Sequence, residues 1–258
     1  EMSTILETRK LSKYFGGLAA VNQVDLDIAD LEILGLIGPN GAGKTTLFNL
    51  ISGFFPSTSG NVIFCGQDIT NLKAHETARL GISRTFQAST LFMKLSVIDN
   101  VFTGCHLGYR TSMWKRLLRM PSALEEENML KHKAIELLDF MGLASLRGEI
   151  AGNLTHGQQR VLGVCVALAT NPKLLLLDEP VTGMNPSETL TMVSLIRQIR
   201  DDMGVTIMLV EHDMKVVMNL CERIVVLSYG HKIAEGLPAE IKENKEVIEA
   251  YLGKEEAE

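Results

Sequence analysis

Gly38-Pro39-Asn40-Gly41-Ala42-Gly43-Lys44-Thr45 constrains this chain more than any other stretch, because it fits the pattern G-x-x-x-x-G-K-[ST]. It stands between a continuously apolar pentapeptide, Ile33-Leu34-Gly35-Leu36-Ile37, and a helical run, Thr46 to Ile51. A strand buried on both faces, a glycine-rich turn and a helix in that order make a phosphate cradle. Glycines let the backbone curl so that its N–H groups converge on an anion, and the helix N-terminus adds partial positive charge. The pattern predicts a nucleotide site in which Lys44 reaches the β- and γ-phosphates and Thr45 ligates Mg²⁺, with Gly38 to Gly43 and Thr46 completing the cradle.

Such a site needs an acidic residue at the end of another buried strand, and Leu174-Leu175-Leu176-Leu177-Asp178-Glu179 supplies two. Asp178 is the expected Mg²⁺ holder, directly or through water, and Glu179 the candidate general base for the water that attacks the γ-phosphate. The alternative is that both carboxylates end a strand and cap the helix that follows Pro180.

Val24 to Ile28 alternates apolar and acidic residues as a half-exposed strand does. Lys173 to Leu177, Thr206 to Val210 and Arg223 to Leu227 are short apolar runs separated by helical patterns at Glu188 to Met203 and Met214 to Leu220, which is the alternation of a parallel α/β sheet. Strand signals thin out between about Asn71 and Leu154, where Leu124 to Phe140 reads as a long amphipathic helix carrying Leu124, Leu130, Ile135, Leu138 and Phe140. An inserted helical subdomain follows from that. With 258 residues, 46% of them hydrophobic and only 7 Pro, the chain has enough apolar material for a large core, which excludes disorder as its main state. No internal repeat is visible.

No apolar stretch approaches the roughly 20 residues of a membrane-spanning helix, and no secretory signal is visible at Glu1-Met2-Ser3. Cys65, Cys105, Cys165 and Cys221 are scattered without a C-x-x-C pair, so reduced thiols are expected rather than a zinc site or a disulfide framework. The net charge of −6 argues against a nucleic-acid footprint over the whole surface.

Three further motifs carry a family resemblance. Leu154-Thr155-His156-Gly157-Gln158-Gln159-Arg160 is similar to the L-S-G-G-Q signature of ATP-binding-cassette (ABC) ATPases, with Thr155 for Ser and His156 for the first Gly, ahead of a short helix at Val161 to Ala169. Gln87 in Arg84-Thr85-Phe86-Gln87 resembles the Q-loop, and His212 in Val210-Glu211-His212-Asp213 the switch histidine two residues past a strand. The resemblance covers essentially the entire chain. It implies a P-loop NTPase (RecA-like) α/β core of mixed sheet with an antiparallel β edge and an inserted α-helical subdomain. The expected segments are a nucleotide-binding core at 1–87 and 155–235, a helical subdomain at 88–154 and a C-terminal helical tail at 236–258.

The resemblance also implies ATP and Mg²⁺ as cofactors, Glu179, His212 and Gln87 as catalytic residues, and Thr45, Gln87 and Asp178 around the metal. Two cassettes lie head to tail in this family. Thr155, His156, Gly157 and Gln158 of one chain are therefore expected to complete the γ-phosphate site of the other. Thr155 keeps the hydroxyl of the usual Ser, whereas His156 adds bulk where Gly allows close approach. Gly183-Met184-Asn185-Pro186 also departs from the family, with Asn185 where many cassettes have Asp. Phe15, with Tyr14 as neighbour, matches the aromatic that stacks on adenine, or it belongs to the core.

Within the family, Phe15-Gly16-Gly17-Leu18, Arg84-Thr85-Phe86-Gln87, Gln158-Gln159-Arg160, Glu211-His212-Asp213-Met214 and Val247-Ile248-Glu249-Ala250-Tyr251-Leu252-Gly253 resemble ATPases of bacterial importers for branched-chain amino acids. The partners so implied are transmembrane permease subunits and a second ABC ATPase subunit, identical or related. The implied location is peripheral, on the cytoplasmic face of the inner membrane, with no nucleic acid. Thr103 to Pro121 holds Arg110, Lys115, Arg116 and Arg119 with no acidic residue, which suits anionic headgroups or a membrane subunit, or else a solvated helix face. Two rivals stand beside the importer. A lipid or lipopolysaccharide exporter ATPase shares Cys221-Glu222-Arg223 and Tyr251-Leu252-Gly253, and a soluble non-transport ABC ATPase is disfavoured by the single Walker lysine and the lack of a heptad run.

Overall fold

The apolar pentapeptide becomes a strand with every residue buried, Ile33–Ile37, in a computed structural model that describes residues 3–85, 91–105 and 120–252. Along the chain come β1 (Thr4–Phe15), β2 (Leu18–Ala29), β3 (Ile33–Ile37), α1 (Lys44–Ile51), β4 (Ser59–Phe64), β5 (Gln67–Asp68), α2 (Ala74–Leu80) and β6 (Ile82–Arg84). Then follow α3 (Val97–Gly104), α4 (Pro121–Phe140), α5 (His156–Ala169), β7 (Leu174–Asp178), α6 (Pro186–Met203), β8 (Thr206–Val210) and α7 (Met214–Leu220). The described chain closes with β9 (Arg223–Ser228), β10 (His231–Gly236), α8 (Pro238–Glu243) and α9 (Lys245–Leu252). Gln87 and the basic residues Arg110 to Arg119 lie outside the described residues.

Two compact units result, one formed by residues 1–84, 173–179 and 196–258, the other by 85–172 and 180–195. The first holds both sheets. A six-stranded sheet runs β10-β9-β3-β8-β7-β6, parallel throughout except for the antiparallel edge strand β10. Strands β3, β7 and β8 are buried at every position, as parallel strands covered on both faces must be. The other sheet, β2-β1-β4-β5, is antiparallel. In β2, Val24, Leu26 and Ile28 are buried while Asp25 and Asp27 are exposed, the alternation of a sheet with one wet face. One core joins both sheets to α1, drawing Leu11, Val24 and Phe64 from the antiparallel sheet, Leu36 and Val225 from the parallel one, and Phe48 from the helix.

Arg223 ties the two sheets at their rim. Its Nε donates to Glu32 Oε1 at 2.8 Å and its Nη2 to Asp27 Oδ2 at 3.1 Å, with Glu235 of β10 also paired to it. The Glu32 bond, with the surrounding carboxylates, raises the arginine's pKa above its ordinary value against the opposing effect of burial. Behind β3, burial and neighbouring carboxylates push the Cys221 thiol up to about 12, so it acts as a small apolar group.

The second unit is helical. Gly104 lets α3 approach α5, since a Cβ there would lie 2.3 Å from the Val166 carbonyl oxygen. The buried Asn100 side chain accepts from the Phe92 N–H at 2.7 Å and donates to the Phe92 and Ser96 carbonyls, so its burial leaves both ends of the amide bonded. Helix α4 begins three residues earlier than the apolar pattern predicts, with Pro121 in its first turn. Its buried stripe is Ala123, Leu130, Ala134, Leu137 and Leu138, and Leu124 is 45% exposed. Truncating Leu138 to Ala should therefore cost about 2–5 kcal/mol by urea denaturation. Leu124→Ala in the same helix should stay within about 0.5 kcal/mol.

Candidate active site

The turn between β3 and α1 is shaped by what its glycines let the backbone approach. Gly38 (φ +148°) has the Leu227 carbonyl oxygen 2.1 Å from where a Cβ would sit, and Gly43 (φ +102°) has that of Ala20 at 2.3 Å. Side chains at either position would collide with backbone from β9 or β2. The loop is further held by the Ala42 N–H on the Pro39 carbonyl at 3.1 Å and the Gly230 N–H on the Ala42 carbonyl at 2.9 Å. Lys44 curls back over it, its Nζ donating to the Gly38 carbonyl at 2.5 Å and the Pro39 carbonyl at 3.0 Å.

A cleft of about 560 Å³ opens over this turn. It is lined by Asn40, Gly41, Ala42, Gly43, Lys44, Thr45 and Thr46, by Phe15, Leu18, Ala19 and Ala20 of the first two strands, and by Glu179, Val210 and Tyr229. Asn40 to Thr46 of the predicted cradle thus face one space with Phe15 and Glu179, and Gly38, Pro39, Asp178 and His212 are not among the residues that line it. Phe15 stands at the end of β1, 45% exposed, edge-on to Phe55 with ring centroids 5.8 Å apart and with Lys13 Nζ 5.2 Å from its centroid. It is therefore outside the core. Tyr14 does not line the cleft; its hydroxyl donates to Asn22 Oδ1 at 3.0 Å, because successive strand residues face opposite ways.

Asp178 ends β7, buried, and receives Arg84 Nη2 on Oδ2 at 2.7 Å. Glu179 follows with φ +49°, a left-handed conformation that costs a non-glycine residue about 1 kcal/mol, and its N–H donates to the Val210 carbonyl at 2.9 Å. That bend turns its carboxylate toward the cleft. His212 Nδ1 lies 3.8 Å from Glu179 Oε1 and 3.9 Å from Glu211 Oε2, with the imidazole 66% exposed. Asp213 holds the histidine's turn by capping α7, accepting from the Lys215 N–H at 2.8 Å. Helix α6 starts at Pro186 behind Asn185, whose Oδ1 accepts from the Glu188 N–H at 3.0 Å.

In the helical unit, α5 starts at His156, not at Val161, because Thr155 and Gln158 form a capping box: Thr155 Oγ1 accepts from the Gln158 N–H at 3.3 Å and Gln158 Oε1 from the Thr155 N–H at 3.0 Å. His156 is exposed in the first turn, and Gly157 is buried against Glu188, whose carboxyl carbon would sit 2.6 Å from a Cβ. First-turn N–H groups have no intrahelical acceptor, which is how a helix start takes an anion.

Leu18, Ala19 and Ala20 of β2, Val210 at the end of β8 and Tyr229 just past β9 line the cleft without having been site candidates in the sequence, and Arg84 reaches Asp178 across 94 positions of chain. The one signal available was an arginine just before Thr85-Phe86-Gln87.

A glycine cradle between a buried parallel strand and a helix, with an acidic pair at the end of a nearby strand, defines a P-loop nucleotide hydrolase. A family model described as "ABC transporter" matches residues 21–182, and one described as "Branched-chain amino acid ATP-binding cassette transporter" matches residues 231–257. This chain belongs to the ATP-binding subunits of ABC transporters, and it is a nucleotide-binding ATPase. It is 41% identical to the high-affinity branched-chain amino acid transport ATP-binding protein LivG of Escherichia coli (strain K12), over 96% of this chain and 98% of that protein. Among solved structures it resembles the ADP conformation of MJ1267, an ATP-binding cassette of an ABC transporter (TM-score 0.86, 32% identity, 97% of this chain and 99% of that one). It also resembles a dimeric post-hydrolysis state of the ATP-binding cassette MJ0796 bound to ADP and Pi (TM-score 0.76, 26% identity, 91% and 99%).

Gly43→Ala should remove nucleotide binding, measured by equilibrium dialysis with labelled ATP, because both its φ and the Ala20 carbonyl forbid a side chain there. Thr155→Ala should lower stability by about 1 kcal/mol through loss of the cap, and Thr155→Ser should not.

Proposed function

We propose that this chain is the ATP-hydrolysing motor of an importer for branched-chain amino acids, working as a head-to-tail pair of cassettes on transmembrane permease subunits at the cytoplasmic face of the inner membrane. The observation that carries the substrate class is the match of residues 231–257 to the branched-chain amino acid cassette family. The 41% identity to LivG supports it over a lipid exporter or a soluble ATPase. Among the described residues no helix is long and apolar enough to cross a membrane.

On binding, Lys44 Nζ exchanges the Gly38 and Pro39 carbonyls for β- and γ-phosphate oxygens, and the loop N–H groups and the start of α1 complete the anion site. Phe15 offers its face to adenine without reading the base edge. Thr45 and Asp178 present a hydroxyl and one carboxylate, a hard-oxygen set that fits Mg²⁺, which favours one or two protein oxygens beside substrate phosphates. Gln87 is assigned to the same metal through its motif. When bound, Mg²⁺ neutralises charge developing on the β- and γ-phosphate oxygens.

Glu179 accepts the proton of the attacking water at its carboxylate, and His212, 3.8 Å away, senses the γ-phosphate and orients that water. The first turn of α5 in a second cassette, from Thr155 through His156 and Gly157 to Gln158, closes over the γ-phosphate from the other side.

Glu179→Gln keeps the side chain's shape and loses the base. It should bind MgATP normally, hydrolyse it about 10²- to 10⁴-fold more slowly, and elute as a dimer from size exclusion only when ATP is present. Near-normal turnover would remove Glu179 from its role. Phe15→Ala should weaken ATP binding by about 1–3 kcal/mol in calorimetry while Phe15→Tyr leaves it unchanged. For the substrate class, the test is co-purification of the tagged chain with its permease from solubilised membranes, followed by leucine uptake in proteoliposomes. Uptake absent while another solute is carried overturns the branched-chain reading.

A further inference from the structure

Arg84 ends β6 with its side chain only 6% exposed, and its guanidinium is gripped on three sides. Nη2 donates to Asp178 Oδ2 at 2.7 Å, Nη1 donates to Asn49 Oδ1 at 2.5 Å, and Cζ stands 5.5 Å from the centroid of the Phe48 ring. Phe48 and Asn49 lie on α1, the helix that begins at Lys44, and Asn49 is one turn beyond Thr45. A single planar side chain thus links the helix of the phosphate loop to the carboxylate assigned to Mg²⁺.

Asp178 is 3% exposed, and a carboxylate so deeply buried is stable only beside a cation. Arg84 supplies one whether or not a metal is present. Its fork fixes the rotation of the carboxylate through Oδ2 and is itself fixed by Asn49 and the Phe48 face, so the carboxylate is held in one orientation. The same charge has an opposing consequence for an incoming dication. Attraction to the carboxylate is offset by repulsion from a guanidinium already in contact with it, at short range and away from solvent.

We propose that Arg84 is a positioning residue for ATP hydrolysis, the resident counter-ion of Asp178, which holds that carboxylate in place and sets the Mg²⁺ concentration at which the site takes up metal. Alone, Asp178 would bind Mg²⁺ readily; paired, it does so once nucleotide phosphates supply the rest of the coordination shell. The inference rests on the reading of Asp178 as the metal holder, and the test separates the two.

The experiment is ADP binding by calorimetry across a Mg²⁺ titration, for the wild-type chain, Arg84→Gln, Arg84→Lys and Asp178→Asn, with melting temperatures taken with and without MgADP. In Arg84→Gln the Mg²⁺ concentration giving half of the metal's effect on ADP affinity should fall by about tenfold, the size of effect a neighbouring charge has on a carboxylate. Its melting temperature should drop more without MgADP than with it, whereas a merely structural arginine would lower both equally. Arg84→Lys keeps the charge but loses the fork to Asn49, so it should shift the same way by about threefold. An unchanged or higher Mg²⁺ requirement in Arg84→Gln overturns the proposal, and should that variant fail to fold, a wild-type requirement in Arg84→Lys does so. If Asp178→Asn keeps the wild-type Mg²⁺ dependence, the metal role of Asp178 fails, and the role of Arg84 with it.

Discussion

Close backbone approach at two glycines is the constraint on which the rest of the site depends. The carbonyls of Leu227 and Ala20 occupy the volumes that side chains at positions 38 and 43 would need. Those carbonyls belong to β9 of the parallel sheet and β2 of the antiparallel sheet, so the phosphate turn is clamped where the two sheets meet. Clamping has a chemical purpose. A loop that must point its N–H groups at phosphate cannot spend them all on its own carbonyls, and it needs outside supports such as the Gly230 N–H on Ala42 to keep its shape. Lys44 completes the arrangement by bonding the loop's carbonyls until an anion displaces it.

Much of this was legible in the sequence wherever one residue's surroundings are set by its neighbours in the chain. The acidic alternation from Val24 to Ile28 gave the wet and dry faces of β2, and the unbroken run Ile33 to Ile37 marked a strand covered on both sides. Legibility failed where long-range packing chose among local options. Leu124 satisfies a helical pattern as well as Leu130 does, but only the stripe through Leu130 and Leu137 meets a partner surface. The apolar run from Val161 does not reveal where α5 starts, because T-x-x-Q at Thr155 to Gln158 serves both as a signature motif and as a capping box. Tyr14 and Phe15 are adjacent aromatics, and only pleating and the Tyr14–Asn22 bond separate their roles. Arg84 shows the limit most plainly, since nothing near it in the chain foretells a carboxylate 94 positions away.

Strain and electrostatics converge at the end of β7. Asp178 keeps strand geometry and stays buried, while Glu179 turns into a left-handed conformation that directs the next carboxylate toward the cleft. Two consecutive acids thereby acquire different surroundings, one buried against an arginine, the other partly exposed beside an imidazole. A glycine at position 179 would relieve the strain and remove the carboxylate. The Glu179 N–H stays bonded to the Val210 carbonyl on the adjacent strand, which is one of the contacts that hold the bend.

The formal charges explain why nucleotide and metal arrive together in the proposed mechanism. Asp178, Glu179 and Glu211 bring three negative charges to the ends of β7 and β8, against the positive charges of Lys44 and Arg84. A polyphosphate approaching this set meets repulsion from the carboxylates, and the start of α1 returns only about half a positive charge. Arg84 is paired with Asp178, while Lys44 bonds the loop carbonyls. In that mechanism Asp178 would hold the dication, which would supply the positive charge that the phosphates lack at this site. On the proposed pairing, free Mg²⁺ would gain little from a carboxylate already paired with Arg84, and free nucleotide would gain little from a site with excess acid. In the proposed mechanism each would make the other's binding favourable, and the magnesium complex of the nucleotide is the species the site would take in preference to either component.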